Sequence, residues 1–244
     1  FSEELQLTGK LESARLSYVL GAFYFKEKAT DIATADLAIG LWSAGGGNVG
    51  GVPGYAGPQS PAVYIDNTTD NRSLAAYGQV EWEFVPRWSA TLGARYTDDD
   101  KTFTSINSLQ RNLVEFINVT REGSFKKFTP RAGLTFKASD DLMLYASYSR
   151  GFKQGGFNGR PLAGPQEVTA YEPETLDTWE AGVKAQWFDR SLTTNLAVFH
   201  SKYEDIQLTV NQTPQNFVAN AAKGEINGFE FEAVARPSRW LSFN

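Results

Sequence analysis

The chain has 244 residues, a formal net charge of −5 and no cysteine. This acidic balance argues against nucleic acid as a partner, since nucleic-acid-binding domains present basic surfaces. The sequence also lacks any run of about 18 apolar residues that would predict a membrane-spanning helix. Apart from a 14% share of aromatic residues, the composition is that of a soluble protein.

Segments in which apolar and polar side chains alternate recur along the whole chain. In chain order they cover residues 5–11, 16–24, 74–84, 88–96, 128–136, 142–148, 179–187, 192–198 and 229–235, followed by a stub at 240–241. Period-two alternation is typical of β-strands, because successive side chains point to opposite faces of a sheet. An apolar face of about five alternate positions suits a tilted strand that crosses a bilayer. The pattern predicts an all-β, antiparallel, up-and-down transmembrane β-barrel with about nine strands and a stub in this chain.

The connections between these segments alternate in length. Short turns are predicted near residues 13, 86, 139, 189 and 238, and long loops over 28–72, 99–124, 153–174 and 205–216. Transmembrane barrels have short periplasmic turns and longer extracellular loops, so the alternation orients the barrel. Pro130, inside a predicted strand, cannot donate a ladder hydrogen bond and indicates a bulge or a local break.

The two ends of the apolar stripe carry most of its aromatic residues. Those beside the short turns are Trp82, Phe84, Trp88, Phe136, Trp187, Phe188 and Trp240, and those near the opposite ends are Tyr24, Tyr96, Phe128, Tyr148, Trp179 and Phe229. Amphipathic rings prefer the headgroup level of a membrane, so the two sets predict two girdles. The opposite face carries the charges, which predicts a polar lumen. A soluble β protein that packs this stripe against a second sheet is the alternative.

Three stretches of the chain form a more specific pattern: LYASYSRGFKQGGFN at 144–158, YEPETLDTWEAGVKAQW at 171–187 and NAAKGEINGFEFEAVARP at 220–237. They resemble the barrel domain of TonB-dependent outer-membrane receptors, over residues 74–244 and more loosely over the first hairpin. The resemblance implies a barrel of about 22 strands, closed by an N-terminal plug, in the outer membrane of a Gram-negative bacterium. It further implies import of a scarce ligand, most commonly a ferric siderophore, by coupling to the inner-membrane TonB complex. Outer-membrane lipid and lipopolysaccharide would surround the barrel.

The chain departs from this family pattern because it contains neither a plug domain nor a TonB-contacting box. About nine strands would also leave two unpaired edges in hydrocarbon, where unsatisfied backbone groups are costly. Residues 1–244 are therefore expected to be a partial barrel domain without the plug and the C-terminal strands. Because an exported barrel needs a signal peptide, the first residues are not expected to be the start of the gene product. A passive porin or a small structural barrel remains the alternative function.

Ligand contacts are expected in the extracellular loops and the upper lumen. The candidates are basic residues among aromatic ones, namely Arg150, Lys153 and Arg160 with Tyr145, Phe152 and Phe157, together with Trp42 and Tyr55 in the longest loop. Such a group suits an anionic catecholate or hydroxamate chelate through charge-assisted hydrogen bonds and aromatic contacts. Two alternatives stay open: Arg150 is paired with a lumen carboxylate in a structural motif, and Trp42 and Tyr55 only pack their loop.

Catalysis, a resident metal and a cofactor are not expected. His200 is the only histidine, which excludes a histidine-rich metal site, and the neighbouring outward stripes offer no serine for a barrel lipase. His200 is interpreted as a membrane-interface residue. Asp98, Asp99 and Asp100 could bind calcium at a loop mouth but are interpreted as a solvated acidic turn.

Overall fold

The computed structural model describes residues 1–36, 62–109, 114–162, 164–212, 215–238 and 240–243. Twelve strands lie in these residues: β1 Ser2–Leu11, β2 Leu16–Asp36, β3 Ala62–Val85, β4 Trp88–Leu109, β5 Val114–Lys137, β6 Leu142–Lys153, β7 Gly156–Phe157, β8 Ala170–Tyr171, β9 Glu174–Trp187, β10 Leu192–Gln212, β11 Gln215–Ser238 and β12 Leu241–Phe243. No helix among the described residues is long and apolar enough to span a bilayer.

Ten of the strands form one antiparallel sheet in the order β1-β2-β3-β4-β5-β6-β9-β10-β11-β12, and β7 pairs with β8 in a small second sheet. Every strand of the large sheet therefore lies beside its neighbour in the chain once the β7–β8 insertion is set aside. This meander confirms the predicted up-and-down topology, with nine full strands and the stub β12.

Tight turns at one end of the sheet join the predicted hairpins. Several use residues with positive φ, among them Arg15 (50°), Arg87 (73°) and Asp189 (52°). Such left-handed positions let the chain reverse within a few residues. The predicted short turns are confirmed, and they lie at one end of the sheet, which the sequence pattern predicts to be the periplasmic end.

The strands continue far past the predicted loops at the other end. β3, β5 and β11 have 24 residues each, whereas about 9–11 residues suffice to cross the hydrocarbon core. The predicted loops 28–72, 99–124 and 205–216 are wrong over much of their length, because pairing runs on to Asp36 and Ala62, to Leu109 and Val114, and to Gln212 and Gln215. Beyond the membrane both faces of the sheet can be polar, so the apolar alternation stops while the backbone ladder continues.

The two faces of the sheet differ as the alternation predicts. Leu5, Leu92 and Phe229 on the outward stripe are 77%, 64% and 74% exposed. The β7–β8 pair, the only other sheet among the described residues, contacts the opposite, inward face. Among the described residues no second sheet covers the outward stripe, whereas the sandwich alternative requires one.

Pairing between β5 and β6 ends beside Pro130. The β5–β6 ladder runs only from Lys137↔Met143 to Arg131↔Ser149, while β5 stays paired with β4 through Ala94↔Pro130 without a shift. The predicted local break is therefore confirmed on one side of β5. Beyond this point β5 and β6 are no longer paired.

Candidate functional site

Residues 154–162 and 164–173, which we call the inserted segment, fold back over the inward face of β3–β5. Asn67 Nδ2 donates to the carbonyl of Gly159 at 2.6 Å, and Asn107 Nδ2 donates to the carbonyl of Pro161. Arg121 adds a bond at 3.2 Å to the carbonyl of Pro165. Side-chain amides and a guanidinium of the wall thus satisfy backbone groups that have no ladder partner.

The inserted segment also contacts β10 and β11 on its other side. Val218 N donates to Asn158 Oδ1 at 2.7 Å, and Asn158 Nδ2 donates to the Val218 carbonyl at 2.9 Å. Glu172 and Asn220 repeat this exchange, with the Glu172 amide donating at 2.7 Å and its carbonyl accepting at 2.8 Å. Two asparagine side chains therefore imitate strand partners and tie the segment to the second wall.

An apolar cluster holds the middle of the inserted segment in place. The Phe157 ring stacks on Phe103 at 6.0 Å and meets Phe125 edge-on at 6.3 Å. Val168 is buried in a cluster with Phe103, Ile117 and Val119. Each such side chain contributes about 1.5–3 kcal/mol when it leaves water, so packing and amide bonds together fix the segment on the inner wall.

A cleft of about 350 Å³ lies between the inserted segment and the two walls. Its lining includes Asp31, Phe103, Phe157, Arg160, Tyr171 and Phe217. Arg160 is exposed and forms no hydrogen bond or ion pair with any residue that the structure describes. The cleft therefore offers an unpaired guanidinium framed by aromatic rings, at the end of the sheet opposite the short turns.

The structure separates the other predicted contact residues. Lys153 is exposed on the inward face at the last position of β6, opposite Glu174. Phe152, the residue before it, is half-buried. Tyr145 lies near the periplasmic end of the lumen, where its hydroxyl donates to Glu180 Oε1 at 2.5 Å. Trp42 and Tyr55 fall outside the described residues.

Arg150 forms a bidentate pair with Asp177, at 2.8 Å from Nε and 2.8 Å from Nη2. The pairing with a carboxylate matches the alternative left open from the sequence, but Asp177 faces outward with Trp179 and not into the lumen. The Tyr148 hydroxyl also donates to Asp177, at 2.6 Å. The Arg150 guanidinium, with this hydroxyl, holds the pKa of Asp177 below its usual range.

The outward face carries a row of charges one position beyond the outer aromatic girdle. Its basic members, the cationic belt, are Lys26, Arg72, Lys126, Arg150 and Lys202. Carboxylates accompany them: Lys126 lies 3.3 Å from Asp98 and Lys202 lies 2.9 Å from Glu204. Arg72 pairs with Asp100 and keeps the pKa of that carboxyl below its usual range.

The expectation of a solvated acidic turn at residues 98–100 is wrong. These residues lie within β4, with Asp98 and Asp100 outward in ion pairs and Asp99 inward and buried. His200 stacks on Trp179 at 5.6 Å in the girdle, as expected of an interface residue. Across the described ranges, no group of three or more acidic or histidine side chains could hold a metal ion.

Sequence reasoning missed the polar residues that hold the inserted segment. Asn67 and Asn107 continue the inward positions of β3 and β4, and Asn158 and Asn220 lie within stretches already singled out by resemblance. The signal was a period-two series of small polar residues above the girdle. It becomes readable only once the strands are known to extend that far.

The chain matches the family model described as TonB dependent receptor-like, beta-barrel, over residues 6–244. It is 29% identical over 181 residues to the metal-pseudopaline receptor CntO of Pseudomonas aeruginosa, covering 74% of this chain and 24% of that protein. It is 25% identical over 258 residues to the probable TonB-dependent siderophore receptor PiuA of Acinetobacter baumannii, covering 94% and 33%. The chain thus spans about a quarter to a third of the length of these relatives.

Solved structures share the fold. The ferric yersiniabactin uptake receptor FyuA of Yersinia pestis superposes with a TM-score of 0.73 at 19% identity, over 98% of this chain and 32% of that one. The siderophore receptor PiuA of Acinetobacter baumannii gives a TM-score of 0.64 at 20% identity, over 98% and 36%.

Proposed function

The chain belongs to the TonB-dependent receptor-like β-barrel family, and we propose that the receptor carrying it imports a ferric siderophore or a similar metal chelate. Import proceeds across the Gram-negative outer membrane and is driven by the inner-membrane TonB complex. The related proteins are named as receptors for metal–pseudopaline and for siderophores. Family membership favours active transport over a passive porin, and it places the chain among transport receptors and not among enzymes.

The observation that carries this proposal is the cleft at Arg160. A ferric chelate with catecholate or hydroxamate groups presents anionic oxygens and flat apolar surface. The unpaired Arg160 guanidinium suits the oxygens through charge-assisted hydrogen bonds, and the rings of Phe157 and Tyr171 suit the flat surface. Among the predicted contacts, Phe157 and Arg160 are therefore the residues proposed to contact the ligand directly. Lys153 lies next to the same segment.

We propose further that residues 1–244 are part of a larger barrel domain. Among the described residues, β1 and β12 each have a neighbour on one side only, and unpaired strand edges are costly in hydrocarbon. Additional strands of the receptor would pair with both edges. On the inner wall, Glu81, Arg131 and Glu230 form no ion pair with the described residues, which supports a polar plug in the lumen through which TonB acts.

Arg160→Gln in the complete receptor tests the ligand proposal. A hydrogen bond to a charged group contributes about 1.5–3 kcal/mol, so we expect binding of a ferric catecholate or ferric hydroxamate chelate to weaken roughly 10- to 150-fold. The measurement is a titration of purified receptor with each chelate, beside growth of iron-starved cells on it. Arg190→Gln, an exposed arginine at a periplasmic turn, is the control and should bind normally. Equal affinity of the two variants for both chelates would remove the cleft as the binding site.

The cationic belt supports a finer proposal about the surrounding lipid. It lies at the height where headgroups of the outer leaflet meet the barrel, directly beyond the aromatic rings that mark the interface. Phosphate groups of lipopolysaccharide are the anions present at that height. We propose that Arg72 and Lys126 bind such phosphates while Asp100 and Asp98 orient them.

A further inference from the structure

Asp99 is a buried carboxylate without a hydrogen-bond partner among the described residues. It lies on the inward face of β4, opposite Ser73 on β3 and Phe125 on β5, and is 1% exposed. Neither carboxylate oxygen has a hydrogen-bond partner among the residues that the structure describes. An ionised carboxylate held away from water without a partner disfavours the arrangement that buries it.

Lys101 lies two residues further along the same face of β4, beyond the membrane-spanning part of the strand. Its ammonium donates to the carbonyl of Gly155 at 2.7 Å and lies 5.9 Å from the centre of the Phe125 ring. Burial lowers the pKa of Lys101, and the carboxylates of Asp99 and Glu27 act in the opposite direction. The ammonium is close enough to interact with Asp99, yet its hydrogen bond goes to the inserted segment.

The inserted segment is pressed tightly onto this part of the wall. Gly155 and Gly156 are buried, and a Cβ on Gly155 would lie 2.6 Å from the Phe125 ring and 2.6 Å from the Tyr171 carbonyl oxygen. Phe125 is also the residue directly opposite Asp99 on β5. The segment that Lys101 holds therefore packs against Phe125, the residue directly beside Asp99.

We propose that Lys101 and Asp99 form a two-position latch for the inserted segment, an inference that rests on the proposed ligand cleft. With the segment seated, the Lys101 ammonium donates a hydrogen bond to the Gly155 carbonyl. Asp99 is then left without a hydrogen-bond partner among the described residues. With the segment lifted, water reaches Asp99 and the Lys101 ammonium pairs with it. The buried carboxylate, which lacks a hydrogen bond, raises the free energy of the seated state. The segment can therefore be released.

The latch has a defined effect on ligand. Phe157 and Arg160 belong to the inserted segment, so the cleft is complete only while the segment is seated. A ligand in the cleft favours the seated state by its difference in affinity for the two states. Asp99 therefore speeds ligand release, and Lys101 slows it.

Hydrogen–deuterium exchange of residues 154–160 in the ligand-free complete receptor tests the latch. We expect Asp99→Asn to slow exchange roughly tenfold, because a neutral amide is less costly to bury than a charge. We expect Lys101→Met to accelerate exchange by a similar factor, because the bond to Gly155 is lost. Glu122→Gln, an exposed carboxylate on neighbouring β5, is the charge-matched control and should leave exchange unchanged.

The opposite signs separate a latch from a purely structural contact. If Asp99 only supported the fold, Asp99→Asn would accelerate exchange or leave it unchanged, and either result overturns the proposal even if Lys101→Met fails to fold. Dissociation of the ferric chelate, measured on the same variants, should slow with Asp99→Asn. If exchange shifts as expected while no chelate binds, the latch stands and the proposed function fails.

Discussion

Neighbouring aspartates of this chain have different roles because of where each side chain points. Asp98 and Asp100 face outward and are exposed enough to form surface ion pairs, which contribute little individually. Asp177 also faces outward, but its side chain is 8% exposed and accepts from both Arg150 and Tyr148. At the scale of single residues, burial distinguishes a structural carboxylate from a solvated one.

Asp177→Asn should destabilise the barrel at neutral pH and not in acid. Because Arg150 depresses the pKa of Asp177, the pair contributes stability above the unfolded pKa of about 3.9. This contribution is lost as pH falls through the lower folded pKa. We expect the free energy of unfolding to fall by about 1–2 kcal/mol at pH 7, a value kept small because Arg150 is partly exposed. Urea unfolding in micelles measures it. Asp141→Asn, whose pair with Arg190 is exposed at 3.6 Å, should match wild type at both pH values.

Neighbouring strands are joined by tyrosines on the inward face, and each of these tyrosines lies over a glycine of the next strand. Tyr77 of β3 covers Gly21 of β2, and its hydroxyl donates to Glu4 of β1 at 2.5 Å. One side chain thus links three strands. Tyr145 of β6 covers Gly182 of β9 in the same way. Each of these rings lies so close to the neighbouring strand that only glycine, which has no side chain, fits beneath it. These contacts explain why glycines alternate with charged residues on the inward face.

Gly21→Ala should break this link between strands. The added Cβ would lie 2.1 Å from Tyr77 Cζ, so the ring must move and lose its contact with Glu4. Overpacking of this kind costs about 1–3 kcal/mol, which a lower urea midpoint of the complete receptor would show. Gly151→Ala is the matched control, because a Cβ there has no atom within 4 Å. Equal midpoints for the two variants would contradict the proposed role of Tyr77.

At the scale of the whole molecule, the outward face is layered from the turns upward. Along the strands, a girdle of aromatic residues is followed by an apolar stripe, then by a second girdle, and finally by the cationic belt. The order matches a bilayer in cross-section, from one interface to the headgroups of the other. The inserted segment lies on the opposite face, so the proposed lipid contacts and the proposed ligand contacts lie on separate surfaces.

Arg72→Gln combined with Lys126→Gln should reduce binding of phosphorylated glycolipid. Each cation near an anionic surface contributes about 1 kcal/mol, so removing two should weaken binding roughly thirtyfold at low salt. Native mass spectrometry of the purified receptor with added lipopolysaccharide measures the bound glycolipid. Lys10→Gln, near the periplasmic turns, should retain it, and equal retention by both variants would argue against the belt.

The sequence by itself determined the face of the sheet that is proposed to contact lipid. Strand number, strand direction, the short turns and both girdles follow from period-two alternation, because a face in hydrocarbon tolerates no charge and therefore leaves a clear pattern. Arg160 and Phe157 could also be named as candidates, since basic and aromatic residues cluster at 150–160. The same set of candidates included Arg150 and Tyr145, whose side chains point elsewhere.

Only the tertiary structure decided what happens beyond the membrane. There both faces of a strand meet polar surroundings, so backbone pairing continues without an apolar pattern that would reveal it. The position of the inserted segment depends on contacts between residues far apart in the chain, such as Asn67 with Gly159, 92 residues away. Asp99 is buried on the same wall, at 1% exposed. Packing across the lumen, which no local spacing encodes, determined both.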